Sequence, residues 1–183
     1  MKIIESGFKD LWVIEPKTFS DERGFLFEAY NDRILREMGV ESHFVQDNIS
    51  YSYKGVIRGM HFQLPPHAQT KLVRCLRGTI QDVVVDVRKS SDTFGKWFAI
   101  ELSDTNKKAL LIPKGFAHGF AVVSKEALVM FKIDDFFYPN LNAGIRYDDP
   151  ALNIDWAIDT TDAIVAAKDM LLPTLKQAQQ IFE

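Results

Sequence analysis

Two short segments concentrate the side chains that could do chemistry. The first is Gly55-Val56-Ile57-Arg58-Gly59-Met60-His61-Phe62-Gln63, with Lys71 and Gly78 further along; the second is Ile112-Pro113-Lys114-Gly115-Phe116-Ala117-His118-Gly119. An imidazole such as His61 or His118 can move a proton near neutral pH, and a lysine amine can face developing negative charge. Other candidates carry less. His43 and His67, the latter in a Pro65-Pro66-His67 turn, read as loop or surface histidines. Cys75, the single cysteine, sits in a strand-like run and reads as a small buried apolar side chain rather than a nucleophile. No Gly-x-Gly-x-x-Gly follows a strand pattern and no Walker-type loop occurs, which argues against dinucleotide and ATP binding.

The elements that must position these residues are mostly strands. Leu11–Ile14 precedes Pro16, and Phe25–Tyr30 follows the Asp21-Glu22-Arg23-Gly24 turn. Further β-rich runs cover Phe44–Ile49, Gly55–Phe62, Thr70–Leu76, Thr79–Val87, Trp97–Leu102, Ala109–Ile112, Phe120–Val123 and Leu128–Ile133. Proline and glycine punctuate them. One short helix is expected over Asp32–Met38, capped by Asn31 and ended by Gly39, and another over Pro173–Phe182. Many short strands at this spacing predict an all-β sandwich or barrel rather than βαβ units.

The chain's 183 residues suit one domain, expected to span 1–183, and contain no low-complexity stretch or strong repeat. A net charge of -3 offers no global positive field, so nucleic acid and membrane surfaces are not expected partners. No apolar run reaches the ~20 residues needed to cross a bilayer. The N-terminal run lacks a long apolar stretch of the signal-peptide kind, and a cytoplasmic location is expected.

The two segments together resemble the paired motifs of the cupin superfamily, a small jelly-roll barrel. Metal-binding cupins carry His-x-His, a Glu seven positions before a Gly, and then Pro-x-Gly-x-x-His. Here His61 and His118 match, but Gln63 replaces the second histidine and Lys71 replaces the glutamate. A lysine at a carboxylate ligand position repels a divalent cation, so neither a metal nor another cofactor is expected. The same cation, inside a barrel, could stabilise an enolate oxygen while His61 removes a proton α to a carbonyl.

A closer resemblance follows from Asp21-Glu22-Arg23-Gly24-Phe25, Phe44-Val45-Gln46-Asp47-Asn48-Ile49-Ser50, Val56–Gln63, Lys71-Leu72-Val73-Arg74-Cys75, Asp82–Arg88, Thr93-Phe94-Gly95 and Ile112–Phe120. These are similar to the dTDP-4-dehydrorhamnose 3,5-epimerase family, from about Ile14 to about Asp169. The resemblance implies an epimerase of a nucleotide-linked 4-keto-6-deoxyhexose. It makes His61 the proton-abstracting base, Asp169 the carboxylate that orients it, and Lys71 the lysine near the 4-keto oxygen. His118 would line the cavity. Arg23, Glu28, Gln46, Asn48, Arg58 and Lys168 would hold the nucleotide and its diphosphate. Arg23 and Glu28 would reach the neighbouring subunit's site through an exchanged N-terminal strand, which implies a homodimer.

The sequence departs from the family at one chemical position. Where the family has a Tyr-Lys pair, whose tyrosine reprotonates the carbanion from the opposite face, this chain has Phe131-Lys132. The next aromatics read Phe136-Phe137-Tyr138, and Asn142 stands where a glutamate is common. Either the enzyme epimerises C3 alone, or another donor such as Tyr138 or a water serves C5. A sugar 3,4-ketoisomerase and a non-catalytic nucleotide-sugar-binding module are the competing functions. Thymidine is the expected base, with guanosine the rival.

Overall fold

The computed structural model describes residues 1–178 and Phe182. The strands follow in chain order as β1 (Lys2–Glu5), β2 (Trp12–Glu15), β3 (Thr18–Asp21), β4 (Gly24–Phe27), β5 (Gln46–Tyr53), β6 (Val56–Gln63) and β7 (Lys71–Arg77). They continue as β8 (Thr79–Asp86), β9 (Trp97–Ser103), β10 (Ala109–Ile112), β11 (Phe116–Val122), β12 (Glu126–Ile133), β13 (Asn142–Gly144) and β14 (Ile164–Val165). Helix α1 (Asp32–Glu37) lies between β4 and β5, and helix α2 (Ala167–Met170) follows β14.

One sheet runs β1-β2-β10-β7-β12-β5, and the sheet opposing it runs β13-β6-β11-β8-β9. Pairing within both is antiparallel, except that β14 adds to β6 in parallel. From β5 to β8 the chain changes sheet at every strand, and it does so again from β9 to β12. This winding is that of an all-β, cupin-type jelly roll. The strands β3 and β4 form a hairpin apart from both sheets.

Strand patterning explains the layers. Alternate residues of β7 face opposite ways, so Val73 and Cys75 enter the core between the sheets, while Leu72 joins a second cluster on the outer face with Ile14, Leu111 and Leu35. In β8, Val83, Val84 and Val85 are all fully buried. Val84 faces the inter-sheet core, and Val83 and Val85 pack under Ile145, Leu152 and Trp156 of the chain's last third. A strand covered on both faces has no polar alternation to display. Each such side chain contributes about 1.5–3 kcal/mol by leaving water.

Helix α1 forms where the sequence signals it. The Asn31 side chain accepts from the Ile34 N–H at 3.2 Å, and Leu35 is its buried face. At the other end Val40 N–H bonds Leu35 C=O and Gly39 N–H bonds Arg36 C=O, with Gly39 at φ +85°. That is the left-handed glycine stop, which leaves no Cβ in the crowded position.

Some boundaries differ from expectation. The strand expected over Phe44–Ile49 is β5, shifted to Gln46–Tyr53, and Phe25–Tyr30 is cut back to Phe27. The strand expected to open at Phe120 opens at Phe116, which puts His118 inside β11. The helix expected over Pro173–Phe182 is absent from its described part, where Thr174 closes a turn with Gln177 and Ala178; residues 179–181 lie outside the described residues. Local propensity yields there to tertiary contacts. Leu175 N–H is taken by the Asp149 carboxylate at 2.7 Å, and Leu175, Ala178 and Phe182 pack individually against the second sheet. No helix among the described residues is long and apolar enough to cross a membrane.

Candidate active site

Strand β6 is built to show two side chains to the barrel interior that a regular strand would send apart. Arg58 and His61 are three residues apart, so strict alternation places them on opposite faces. Between them the register to β11 slips: His61 pairs with His118, but Arg58 pairs with Phe120. The extra residue on β6 turns both side chains into one cavity. The bulge brings the strands close, since a Cβ on Gly59 would stand 2.5 Å from Gly119 Cα and 2.8 Å from His118 C=O. Glycine at both positions permits that approach.

The cavity holds about 480 Å³ between the sheets. The second sheet supplies Arg58, His61, His118 and Phe120, and the first supplies Ser50, Lys71 and Phe131. The segment from Ile164 to Asp169 closes the side along β6. Parallel pairing of Ile164 with Val56 and Val165 with Ile57 fixes that segment, and α2 then delivers Asp169.

Asp169 is buried, and its Oδ1 lies 2.8 Å from His61 Nε2; its Oδ2 accepts from Gly59 N–H at 3.4 Å. An ionised carboxylate only accepts, so Nε2 carries the proton and Nδ1 is the free basic nitrogen. Burial pushes the His61 imidazolium below its ordinary range; Asp169 opposes this shift, and the Lys71 and Lys168 charges add to it. The ring is therefore neutral at neutral pH, the form a base requires.

Lys71 opens β7, and its Nζ donates to His61 C=O at 3.2 Å. Lys71 lines the cavity and is half-buried. Desolvation drops its pKa to about 8, with Asp82 partly resisting. Lysine and histidine thus share one chamber. Beside them His118 Nε2 bonds Asp82 Oδ1 at 2.7 Å, both residues being buried. Arg58 and Lys168 stand exposed at the rim, Arg58 held by its Nε donating to Ser52 Oγ at 2.9 Å.

The remaining predicted residues fall in three places. Gln46 and Asn48 share the inward face of β5 with Ser50, their amides bonded at 2.9 Å. Arg23 and Glu28 are exposed on and just after the β3–β4 hairpin and do not line this chain's own cavity; the Arg23 guanidinium folds back on Asp21. Tyr138 and Asn142 are not brought into the cavity either. Tyr138 stacks on His67 with ring centroids 3.9 Å apart, and Asn142 is exposed on β13 opposite Gln63. The cause is Gln63, whose amide ties down the loop after β12: its Nε2 donates to Phe136 C=O at 3.0 Å and its Oε1 accepts from Tyr138 N–H at 2.8 Å. Among the described residues no group of three or more His, Cys, Asp or Glu is placed to hold a metal. Cys75 is buried in the inter-sheet core, and burial raises its thiol to about 11.

Sequence reasoning missed Ser50, a polar residue that lines the cavity, and Asp82, which lies behind it and holds His118. Ser50 could have been found by stepping two residues along the strand from Asn48. Asp82 carried a signal too, as a carboxylate opening an otherwise valine-rich, buried run.

A family model described as dTDP-4-dehydrorhamnose 3,5-epimerase matches residues 5–177. The chain belongs to the dTDP-4-dehydrorhamnose 3,5-epimerase family. It is an isomerase-class enzyme, an epimerase. A relative from Shigella flexneri, named dTDP-4-dehydrorhamnose 3,5-epimerase, is 47% identical over 171 residues, covering 93% of each chain. A crystal structure of dTDP-6-deoxy-D-glucose-3,5-epimerase from Legionella pneumophila, in complex with dTDP-4-keto-L-rhamnose, superposes with a TM-score of 0.95. It is 40% identical and covers 100% of this chain and 98% of its own. A Streptomyces niveus relative named dTDP-4-dehydrorhamnose 3-epimerase is 34% identical, with 99% of this chain and 93% of that one covered.

Proposed function

We propose that the enzyme epimerises a nucleotide-linked 4-keto-6-deoxyhexose, of the dTDP-4-dehydro-6-deoxyglucose type, at C3 with C5 disfavoured, in deoxysugar or surface-polysaccharide biosynthesis. The observation that carries this reading is the shared chamber of His61, backed by Asp169, and Lys71. His61 Nδ1 removes the proton from the carbon beside the ketone, and Asp169 stabilises the imidazolium that forms. The electron pair moves onto the 4-keto oxygen, where the Lys71 ammonium meets it. In a dry site such a donor is worth about 3–4 kcal/mol of barrier. Water entering the cavity returns a proton to the opposite face of the enolate at C3 and completes the inversion.

Arg58 and Lys168 at the rim suit a diphosphate, arginine by its paired donors and lysine by its charge. Gln46 and Asn48 lie on the strand beside them and suit the base. The exposed Phe19, Phe25 and Leu26 of the β3–β4 hairpin suit burial against a second copy, which would carry Arg23 and Glu28 to the partner's cavity.

The preference for C3 rests on Phe131. It stands on the wall opposite His61, where a phenol would face the far side of the enolate, and it has no proton to give. Ser50 is the hydroxyl among the cavity's side chains, and its ordinary acidity is far too weak to replace a phenol. A second reading, full 3,5-epimerisation with water as the donor, is favoured by the names of the relatives near 45% identity. Incubation with dTDP-4-keto-6-deoxyglucose in heavy water decides between them. Deuterium entering C3 well ahead of C5 supports the first reading, comparable uptake with both centres inverted supports the second, and no uptake at either carbon rules out this sugar as the substrate.

A further inference from the structure

Among the described residues, the buried side-chain polar atoms left without a hydrogen-bond partner are Ser50 Oγ and Asp82 Oδ2. The second is the costlier, since a carboxylate oxygen deprived of water and donors needs compensating charge. Asp82 sits on β8 with no exposed surface at all, yet just one of its oxygens is engaged, by His118 at 2.7 Å. Positive charge is available across the barrel at Lys71, whose own charge Asp82 favours through space.

The neighbours of Lys71 leave few alternatives. The titratable and charged groups that share its cavity are His61 and Arg58 from β6, His118 from β11, and Lys168 with Asp169 from α2; Asp82 of β8, behind His118, acts on it through space. The flanking strands β10 and β12 set Ile112 and Ile133 opposite it. Asp169 is committed to His61, and Asp134, just past β12, to Thr70 N–H and Lys114.

We propose that Asp82 is a positioning residue of the epimerisation: one carboxylate oxygen fixes the His118 ring, and the charge on the other keeps the Lys71 amine protonated in a dry barrel. Held by Asp82, His118 carries its proton on Nε2 and turns Nδ1 away from the carboxylate. The proposal rests on Lys71 as the enolate-facing group, and it adds a counter-charge that favours the amine's proton against the effect of burial.

The test is Asp82→Asn, which retains an acceptor for His118 and removes the charge. NMR titration of the lysine ε-methylene groups, with the Lys71 signal assigned by its disappearance in Lys71→Met, reads the effect without substrate. The Lys71 midpoint is expected to fall by about one pH unit, a tenfold change in its protonated-to-neutral ratio. The kcat for C3 exchange should then fall progressively more below wild type as pH rises from 6 to 8. Asp82→Glu, which keeps the charge, should restore the Lys71 midpoint; Asp82→Thr serves as the neutral variant if the amide is not accommodated. An unmoved midpoint in the neutral variant overturns the proposal, as does a loss of kcat equal at every pH. Absence of exchange in the unaltered enzyme would remove the proposed function, while the titration would still decide the role of Asp82.

Discussion

Substituting Phe131→Tyr should raise proton exchange at C5 by about 10²–10⁴-fold, the contribution of one positioned general acid. That is about 3–5 kcal/mol of barrier at ~1.4 kcal/mol per decade. The proposed preference for C3 assigns that amount to C5. Phe131 lies on β12 between Val73 of β7 and Asn48 of β5, and its ring lines the cavity from the sheet opposite His61. A para hydroxyl therefore enters the chamber on the face from which His61 cannot deliver. Packing should tolerate it: the ring is partly buried, and the cavity of about 480 Å³ leaves the oxygen able to hydrogen-bond, so stability should stay within ~0.5 kcal/mol. The assay follows loss of the C3 and C5 hydrogens by NMR in heavy water, with product stereochemistry read in parallel. Comparable exchange of both hydrogens by the unaltered enzyme, with both centres inverted, would refute the C3 preference. A folded Phe131→Tyr variant that leaves C5 exchange where it was would refute its basis in Phe131.

Lys71→Met should lower kcat about 10²–10³-fold, from the loss of ~3–4 kcal/mol at the enolate oxygen, with KM little changed because Arg58 and Lys168, the proposed diphosphate holders, remain; steady-state kinetics at pH 7 separates the two. The kcat/KM profile should be bell-shaped. Activity rises with pH as His61 loses its proton, at a midpoint below the ordinary histidine range, and falls above about 8 as Lys71 becomes neutral. Lys71→Met should abolish that alkaline limb while the acid limb remains. Away from the site, Asn31→Ala removes the cap of α1 and should cost about 1 kcal/mol in urea unfolding, with no effect on C3 exchange.

Much of this protein is written locally. The β-rich runs between turn residues located β6, β7 and β8 to within a residue or two, and the asparagine and glycine flanking α1 marked its ends, because strand runs and helix caps depend on near neighbours. The reactive residue types at His61, Lys71 and His118 were legible for the same reason: the spacing within motifs is short. What tertiary structure decided is the assembly of partners distant in sequence. His61 and Asp169 lie 108 residues apart, and they meet because β14 adds to β6 and sets α2 beside it. Asp82 became part of the site through the β8–β11 register, and Tyr138 was kept out of it by the Gln63 amide. The described part of the terminal stretch lacks its expected helix, and Leu175, Ala178 and Phe182 pack one by one on the second sheet. A sequence fixes which faces are apolar and which groups can titrate. Which of them share a dry chamber depends on how two sheets close, and that is a property of the whole chain.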